Sequence, residues 1–240
     1  MWSRFVAAIK EYQLIQPNDH ICVCISGGKD SMLMARLFMQ LQKHSDFDFK
    51  VEYLVMNPGY NEINLQTILN NLQKLSIPAK VVESNIFEIA NSQDRSPCFL
   101  CAKMRRGALY NFAKQMGCNK IALGHHYDDV IETTLMNLLN SGSFQTMLPK
   151  LKSTNFEGME LIRPMYLIRE KDIISCKAIN PTLILSLPPK SHEARANVPV
   201  VASNDVSKIF LIVFFIYFFL LFFPKSKKKV QKLLLIGQVD

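Results

Sequence analysis

Six residues, Ser26-Gly27-Gly28-Lys29-Asp30-Ser31, separate a β-rich run (His20 to Ile25) from a stretch where Met32, Leu33, Leu37 and Leu41 recur at helical spacing. No other feature constrains the fold as tightly. A strand that turns through two glycines straight into a helix is a building unit of α/β proteins, and the first three quarters of the chain repeat the alternation. Val51 to Met56 predicts a second strand with Pro58-Gly59 as its turn, Ile63 to Leu75 an amphipathic helix, and Lys80 to Val82 a third strand. Arg105 to Met116 is helical up to Gly117, and Lys120 to Leu123 is a strand that stops at Gly124. Asp129 to Leu139 is a helix with apolar residues at 131, 135, 138 and 139, and Phe5 to Leu14 is a helix that ends before Pro17. The expected fold is α/β, a doubly wound parallel sheet with right-handed crossovers. Ligands in such sheets sit at the carboxyl ends of the strands. Ser26–Ser31 and Gly124–Asp129 each follow a strand and are therefore expected to share one edge.

At 240 residues the chain can bury a sizeable core, and 49% hydrophobic with 20% charged residues excludes a disordered or collagen-like chain. The net charge of +8 invites a nucleic-acid reading, yet it is unevenly spread. Residues 1–176 hold 19 Lys and Arg against 17 Asp and Glu, whereas residues 177–240 hold 9 against 3. The basic excess is thus a property of the last quarter and says little about the main domain. Met1 to Lys10 has no long apolar core with a small-residue cleavage site, so no signal peptide is read and a cytoplasmic location is expected. In a reducing compartment the six cysteines (22, 24, 98, 101, 118 and 176) are not expected to form a disulfide framework. Cys22 and Cys24 alternate within a strand and read as small core residues; Cys118 reads as structural too.

The division expected is a domain over 1–176 and an atypical tail over 177–240. Ile209 to Phe223 is an unbroken apolar run of 15 residues, seven of them Phe, followed by Pro224 and Lys225, Lys227, Lys228 and Lys229. As a helix it would extend about 22 Å, short of the roughly 30 Å hydrocarbon core. Three readings stand side by side: a membrane-associated tail with its lysines on the cytoplasmic side, a buried element, or a spurious out-of-frame extension.

Three motifs carry chemistry. Ser26-Gly27-Gly28-Lys29-Asp30-Ser31 offers glycines that admit an anion to backbone N–H groups, a helix N-terminus behind them, and one cation. It is not a Walker A loop, which needs four residues between its first Gly and Gly-Lys. Gly124-His125-His126-Tyr127-Asp128-Asp129 supplies two histidines that should point to different sides of a strand end. Its carboxylates suit a hard Mg²⁺ shared with phosphates, with Asp128 or Asp129 as ligand. Pro97-Cys98-Phe99-Leu100-Cys101 is one CxxC pair, followed by Lys103, Arg105 and Arg106. Such a pair suits a metal, a cluster or redox chemistry, or two small buried residues at a helix start. Arg105 and Arg106 are candidates for RNA phosphates or for a solvated helix face.

The Ser26–Ser31 stretch resembles the pyrophosphate loop of the PP-loop ATP pyrophosphatases, which split ATP between its α and β phosphates. The run LGHHYDDVIETTLMNLL (123–139) resembles the second signature of the tRNA-modifying members, the lysidine synthetases and the 2-thiocytidine synthetases. PCFLCAKMRRGALY (97–110) is similar to the cysteine motif of the latter alone. TMLPKL, FEGMELIRPMYLIREKDI and VMNPGYNEIN add to it, so that the resemblance covers about residues 20–175. It implies a sheet of the adenine nucleotide alpha hydrolase-like type and an ATP-dependent tRNA sulfurtransferase that makes 2-thiocytidine in the anticodon loop. Ser26, Gly27, Gly28, Lys29, Asp30, Ser31, Gly124 and His125 would bind ATP. Asp30, Asp129, Cys98 and Cys101 would be catalytic, Asp128 and Asp129 would hold Mg²⁺, and Arg105 and Arg106 would contact tRNA. Cys98 and Cys101 would bind a [4Fe–4S] cluster. The family's third cluster cysteine follows the REKDI stretch at a distance; here Cys176 comes only four residues after Asp172 and none follows, so no third ligand is identified. The implied partners are tRNA, a cysteine desulfurase or other sulfur donor, and a second copy of the chain. A membrane partner through 209–223 is implied only if the tail is genuine. The alternatives are a lysidine synthetase-like ligase and a truncated, non-catalytic ATP-binding paralogue.

Overall fold

In the computed structural model, residues 1–84 and 97–179 are described. The elements are α1 (Trp2–Glu11), β1 (His20–Ile25), α2 (Lys29–His44), β2 (Lys50–Asn57), α3 (Glu62–Lys74) and β3 (Ala79–Glu83), then α4 (Pro97–Gln115), β4 (Lys120–Ala122), α5 (Tyr127–Ser141), β5 (Lys150–Lys152), β6 (Glu160–Ile162) and α6 (Glu170–Ile179). Six strands form one sheet in the order β3-β2-β1-β4-β6-β5. The first five in that order run parallel; β5 alone is antiparallel, paired Lys150 to Ile162 and Lys152 to Glu160. The sheet is thus parallel, as the alternation led us to expect, except at β5. β5 and β6 have three residues each and lie close along the chain, so a hairpin joins them where a parallel pair would need a long crossover.

The inner strands β1, β2, β4 and β6 are buried on both faces, and the alternation of side chains divides the core in two. Along β1, Ile21, Val23 and Ile25 join a cluster with Phe5 and Ile9 of α1, Met32, Leu33, Leu37 and Phe38 of α2, and Ile68 and Leu72 of α3. Cys22 and Cys24 point the other way, into a cluster with Leu54, Ile121, Leu161, and Tyr110 and Ala113 of α4. β2, β4 and β6 alternate in the same sense, with Val55, Ala122 and Ile162 on the first face. Helices therefore pack on both faces of the sheet. Full burial of each large aliphatic side chain contributes about 1.5–3 kcal/mol, so these two clusters are what hold the layers together. Cys22, Cys24 and Cys118 are buried, as read from the sequence. The Cys118 contact lowers the Cys22 thiol, but its contact with Cys24 and burial outweigh that and push it up, while the contact with Cys22 and then burial push Cys118 up.

The N-terminal edge of the sheet is closed by a buried ion network. Lys120, 3% exposed, places its ammonium 2.7 Å from Asp19 Oδ2 and 3.3 Å from Glu160 Oε2, and donates to Leu14 O at 2.9 Å. Asp19 accepts further from Gln16 N–H (2.6 Å) and Asn119 Nδ2 (2.8 Å), while Asn119 Oδ1 accepts from His20 N–H. Each charge is met from several sides, which is the condition under which buried ions are tolerated.

The chain divides into two compact units, residues 1–133 with 146–189, and residues 134–145 with 190–240. In the second, the described part is the end of α5 and the turn after it, where Asn137 Nδ2 donates to Gln145 O at 3.0 Å. The apolar run 209–223 lies outside the described residues. Among the described residues no helix is long and apolar enough to cross a membrane.

Candidate nucleotide site at the carboxyl edge of the sheet

β1 and β4 are parallel neighbours, so the loops that leave them emerge on one edge, as the strand reading required. The first loop is organised by one hydroxyl. Ser31 Oγ donates to Gly28 O (2.9 Å) and accepts from Ser26 N–H and Ser26 Oγ (3.2 Å each). Gly27 sits at φ 83°, in the left-handed region that other residues enter only with strain. Gly28 caps α2 through its backbone alone, with no side chain on the first N–H groups of the helix. Those donors and the positive end of the helix dipole are left to face an anion.

The second loop closes on the first. A Cβ on Gly124 would lie 3.2 Å from Ser31 N and 3.3 Å from the carbonyl carbon of Asp30, so this residue's lack of a side chain permits the approach. His126, 4% exposed, is wedged among carboxylates: Nε2 is 4.0 Å from Asp30 Oδ1, and Nδ1 is 3.5 Å from Asp129 Oδ2 and 3.8 Å from Asp128 Oδ2. None of these is a formed hydrogen bond, and Asp30 Oδ1 and His126 Nδ1 are buried without a partner. Two more such atoms among the described residues, Arg36 Nε and Asn71 Nδ2, lie apart on α2 and α3; only here do two face each other across one ring beside an anion-binding turn.

His125 faces the other way, as expected for adjacent histidines at a strand end. Its Nδ1 accepts from Arg163 Nε at 3.4 Å, which leaves Nε2 as the N–H donor. Burial, followed by the Arg163 charge, holds His125 down to about 4, so the ring is neutral at physiological pH. Arg163 directly follows β6 and also donates to Leu148 O. Burial and the neighbouring Arg106 bring it down to about 10, still charged at neutral pH. Among the described residues no carboxylate lies within ion-pair distance of it.

Asp128 and Asp129 each have one oxygen committed to the fold. Asp129 Oδ2 accepts from His126 N–H (2.8 Å), the side-chain half of a capping box, and Asp128 Oδ2 accepts from Glu170 N–H (2.6 Å). Lys29 reaches Glu170 Oε1 at 3.0 Å and Asp30 Oδ2 at 3.2 Å. Burial opposes its charge, but these carboxylates outweigh that and raise its pKa. Arg105 is half-buried and Arg106 exposed on α4. Cys98 and Cys101 lie in the first turns of α4, and their side chains fall outside the described residues.

The structure therefore brings together Ser26, Gly27, Gly28, Lys29, Asp30, Ser31, Gly124, His125, Asp128 and Asp129. It adds two residues that the sequence reading did not single out, Arg163 and Glu170, and it gives His126, read there only as one of two adjacent histidines, a buried place among carboxylates. Among the described residues, no three His, Cys, Asp or Glu side chains converge as an all-protein metal cage. Mg²⁺ does not require one, since it takes one or two carboxylates and completes its shell with phosphates and water. The orphaned oxygen of Asp30, on the Nε2 side of the His126 ring, is a carboxylate contact of that kind.

Residues 3–180 match a family model described as the PP-loop domain. The chain is 39% identical over 173 residues to the tRNA-cytidine(32) 2-sulfurtransferase of Neisseria meningitidis serogroup C / serotype 2a, covering 70% of this chain and 53% of that protein. The protein of the same name from Ralstonia pickettii is also 39% identical, over 181 residues, with coverage of 72% and 56%. The chain thus spans about half the length of the curated relatives it matches. Among solved structures, the U34-tRNA thiolase NcsA from Methanococcus maripaludis, determined with its [4Fe-4S] cluster, superposes with a TM-score of 0.62. That likeness, at 21% identity over 79% of this chain and 66% of NcsA, shows a shared fold. Taken with the two loops that meet at one sheet edge, the match over residues 3–180 establishes that this chain belongs to the PP-loop family of ATP-binding domains.

Proposed function

We propose that the chain is an ATP-dependent tRNA sulfurtransferase that replaces the 2-oxygen of an anticodon-loop cytidine with sulfur. One observation carries this reading. The SGGKDS and GHHYDD stretches close on each other, Gly124 against the backbone of Asp30 and Ser31, in a chain 39% identical to proteins named tRNA-cytidine(32) 2-sulfurtransferase.

In the first stage the cytosine O2 attacks the α-phosphate of ATP and the bond to pyrophosphate breaks. The leaving pyrophosphate is received by the Ser26–Ser31 loop, where the first N–H groups of α2 and the Lys29 ammonium meet its charge. His125, neutral and held by Arg163, presents Nε2–H as a donor to the nucleotide. Mg²⁺, held by Asp30 with Asp128 or Asp129, would neutralise phosphate charge when bound. In the second stage a sulfur nucleophile attacks C2 and AMP leaves with the former O2. Adenylation is needed because the free oxygen is a poor leaving group.

The sulfur chemistry is assigned to Cys98 and Cys101. Of the described cysteines, Cys22, Cys24 and Cys118 are packed into the core cluster between the sheet and α4, where they fill space as small buried residues. Arg105 and Arg106 are assigned to tRNA phosphates, and the chemistry is assigned to a domain over 1–176 of doubly wound, adenine nucleotide alpha hydrolase-like type. A cytoplasmic setting and a separate sulfur donor go with this reading.

Nucleoside mass spectrometry of bulk tRNA, with and without the gene, tests it. Loss of 2-thiocytidine is expected. Loss of lysidine instead overturns it in favour of the ligase, which should also survive Cys98→Ser with Cys101→Ser. No change in any nucleoside favours the non-catalytic paralogue.

A further inference from the structure

Glu170 reaches the loop from the far end of the domain, and its position does not depend on the charge it carries. The backbone around it is fastened to the first turn of α5 at three points. Tyr127 N–H donates to Ile168 O (2.9 Å), the Arg169 guanidinium lies 5.4 Å over the Tyr127 ring, and Glu170 N–H donates to Asp128 Oδ2 (2.6 Å). The side chain then sets its carboxylate 3.0 Å from the Lys29 ammonium. A carboxylate held over the one lysine of an anion-binding loop is an unexpected neighbour, because it competes with the ligand that the loop is built to receive.

The exposure of the pair says how the competition resolves. The side chains of Lys29 and Glu170 are 28% and 41% exposed, whereas those of Lys120 and Asp19 at the opposite edge are 4% and 7% exposed. A half-solvated pair is weak and readily exchanged; a buried one is not. Resting on the reading of Ser26–Ser31 as a pyrophosphate loop, we infer that Glu170 is a displaceable counter-ion for Lys29. It shares the ammonium with Asp30, whose Oδ2 lies 3.2 Å away, while the loop is empty, and yields it to a polyphosphate. The exchange sets a threshold of charge. Pyrophosphate, or the β and γ phosphates of ATP, brings enough negative charge to replace the carboxylate and also meet the helix N-terminus. Orthophosphate brings less and is disfavoured. Glu170 is thus a specificity-determining residue that favours polyphosphate over monophosphate.

Isothermal titration calorimetry of the full chain with inorganic pyrophosphate and with orthophosphate, in the absence of divalent cations, tests this. Glu170→Gln and Glu170→Ala keep the backbone donor to Asp128 and remove the competing charge. Both are expected to bind pyrophosphate about two- to fivefold more tightly and to prefer it over orthophosphate less than the wild type does. Unchanged or weaker pyrophosphate binding in both variants, with Lys29→Met still impaired, overturns the counter-ion role and leaves the loop reading intact. A wild-type chain that binds pyrophosphate no better than Lys29→Met overturns the loop reading, and the counter-ion role with it.

Discussion

The two edges of the sheet hold the same kinds of side chain to opposite ends. At the amino edge, Lys120 and Asp19 are buried and every charge has partners; at the carboxyl edge, Lys29 and Glu170 are half-solvated, and Asp30 and His126 keep buried atoms with none. The first arrangement resembles a rivet. It is costly to assemble, but once formed it cannot lose one member without stranding another. The second leaves interactions unmade that a ligand can make. Residue type alone therefore does not separate structural from functional charge in this domain; the degree to which partners are already supplied does.

Four measurements of unfolding free energy would break or sharpen that contrast. Lys120→Met strands Asp19 in the interior, leaves Glu160 to Lys150 alone, and is expected to cost about 3–5 kcal/mol in a denaturant melt. A loss below about 1 kcal/mol would remove the distinction between the edges. His125 comes next, through pH. Its ordinary pKa of about 6.5 applies to the unfolded chain and about 4 to the folded one, so between those values the unfolded state binds more protons. Stability is then expected to fall as pH drops through that window, at up to about 1.4 kcal/mol per pH unit for this group, and to lose nothing more from it below pH 4. A His125→Gln variant that keeps the wild-type slope would show that the ring is not held neutral. Lys29→Met should change stability by less than about 1 kcal/mol, since its pair is half-solvated; a larger loss would make it a second rivet. Lys150→Met, whose ammonium lies 3.3 Å from Glu160 Oε2 but is 30% exposed, should move the midpoint least, by about 0.5 kcal/mol or less.

The strand–turn–helix units and the edge shared by the two loops were legible because each is written in consecutive residues. β1 and the turn after it are where the pattern placed them, and α1 starts at Trp2, three residues before the expected Phe5. β5 and β6 were not legible, because three residues show no alternating pattern and, unlike β4 with Gly124 behind it, neither run is closed by a glycine. The site divides along the same line. Ser26–Ser31 and Gly124–Asp129 announce themselves by local chemistry. Arg163 and Glu170 acquire meaning only when β6 and α6 bring them to the carboxyl edge. His126 belongs to the motif as read, but what distinguishes it from His125, burial among three carboxylates, is a fact of packing.

The outermost strands of the sheet bear on how copies of this chain meet. β3 carries Lys80 beside half-exposed Val81, and β5 reads Lys150-Leu151-Lys152 with Leu151 in solvent. A neighbour that tried to extend the sheet from either side would have to strip water from an ammonium group for each short run of backbone bonds it gained. Among the described residues, lysine on both outermost strands thereby works against growth of the sheet into a ribbon.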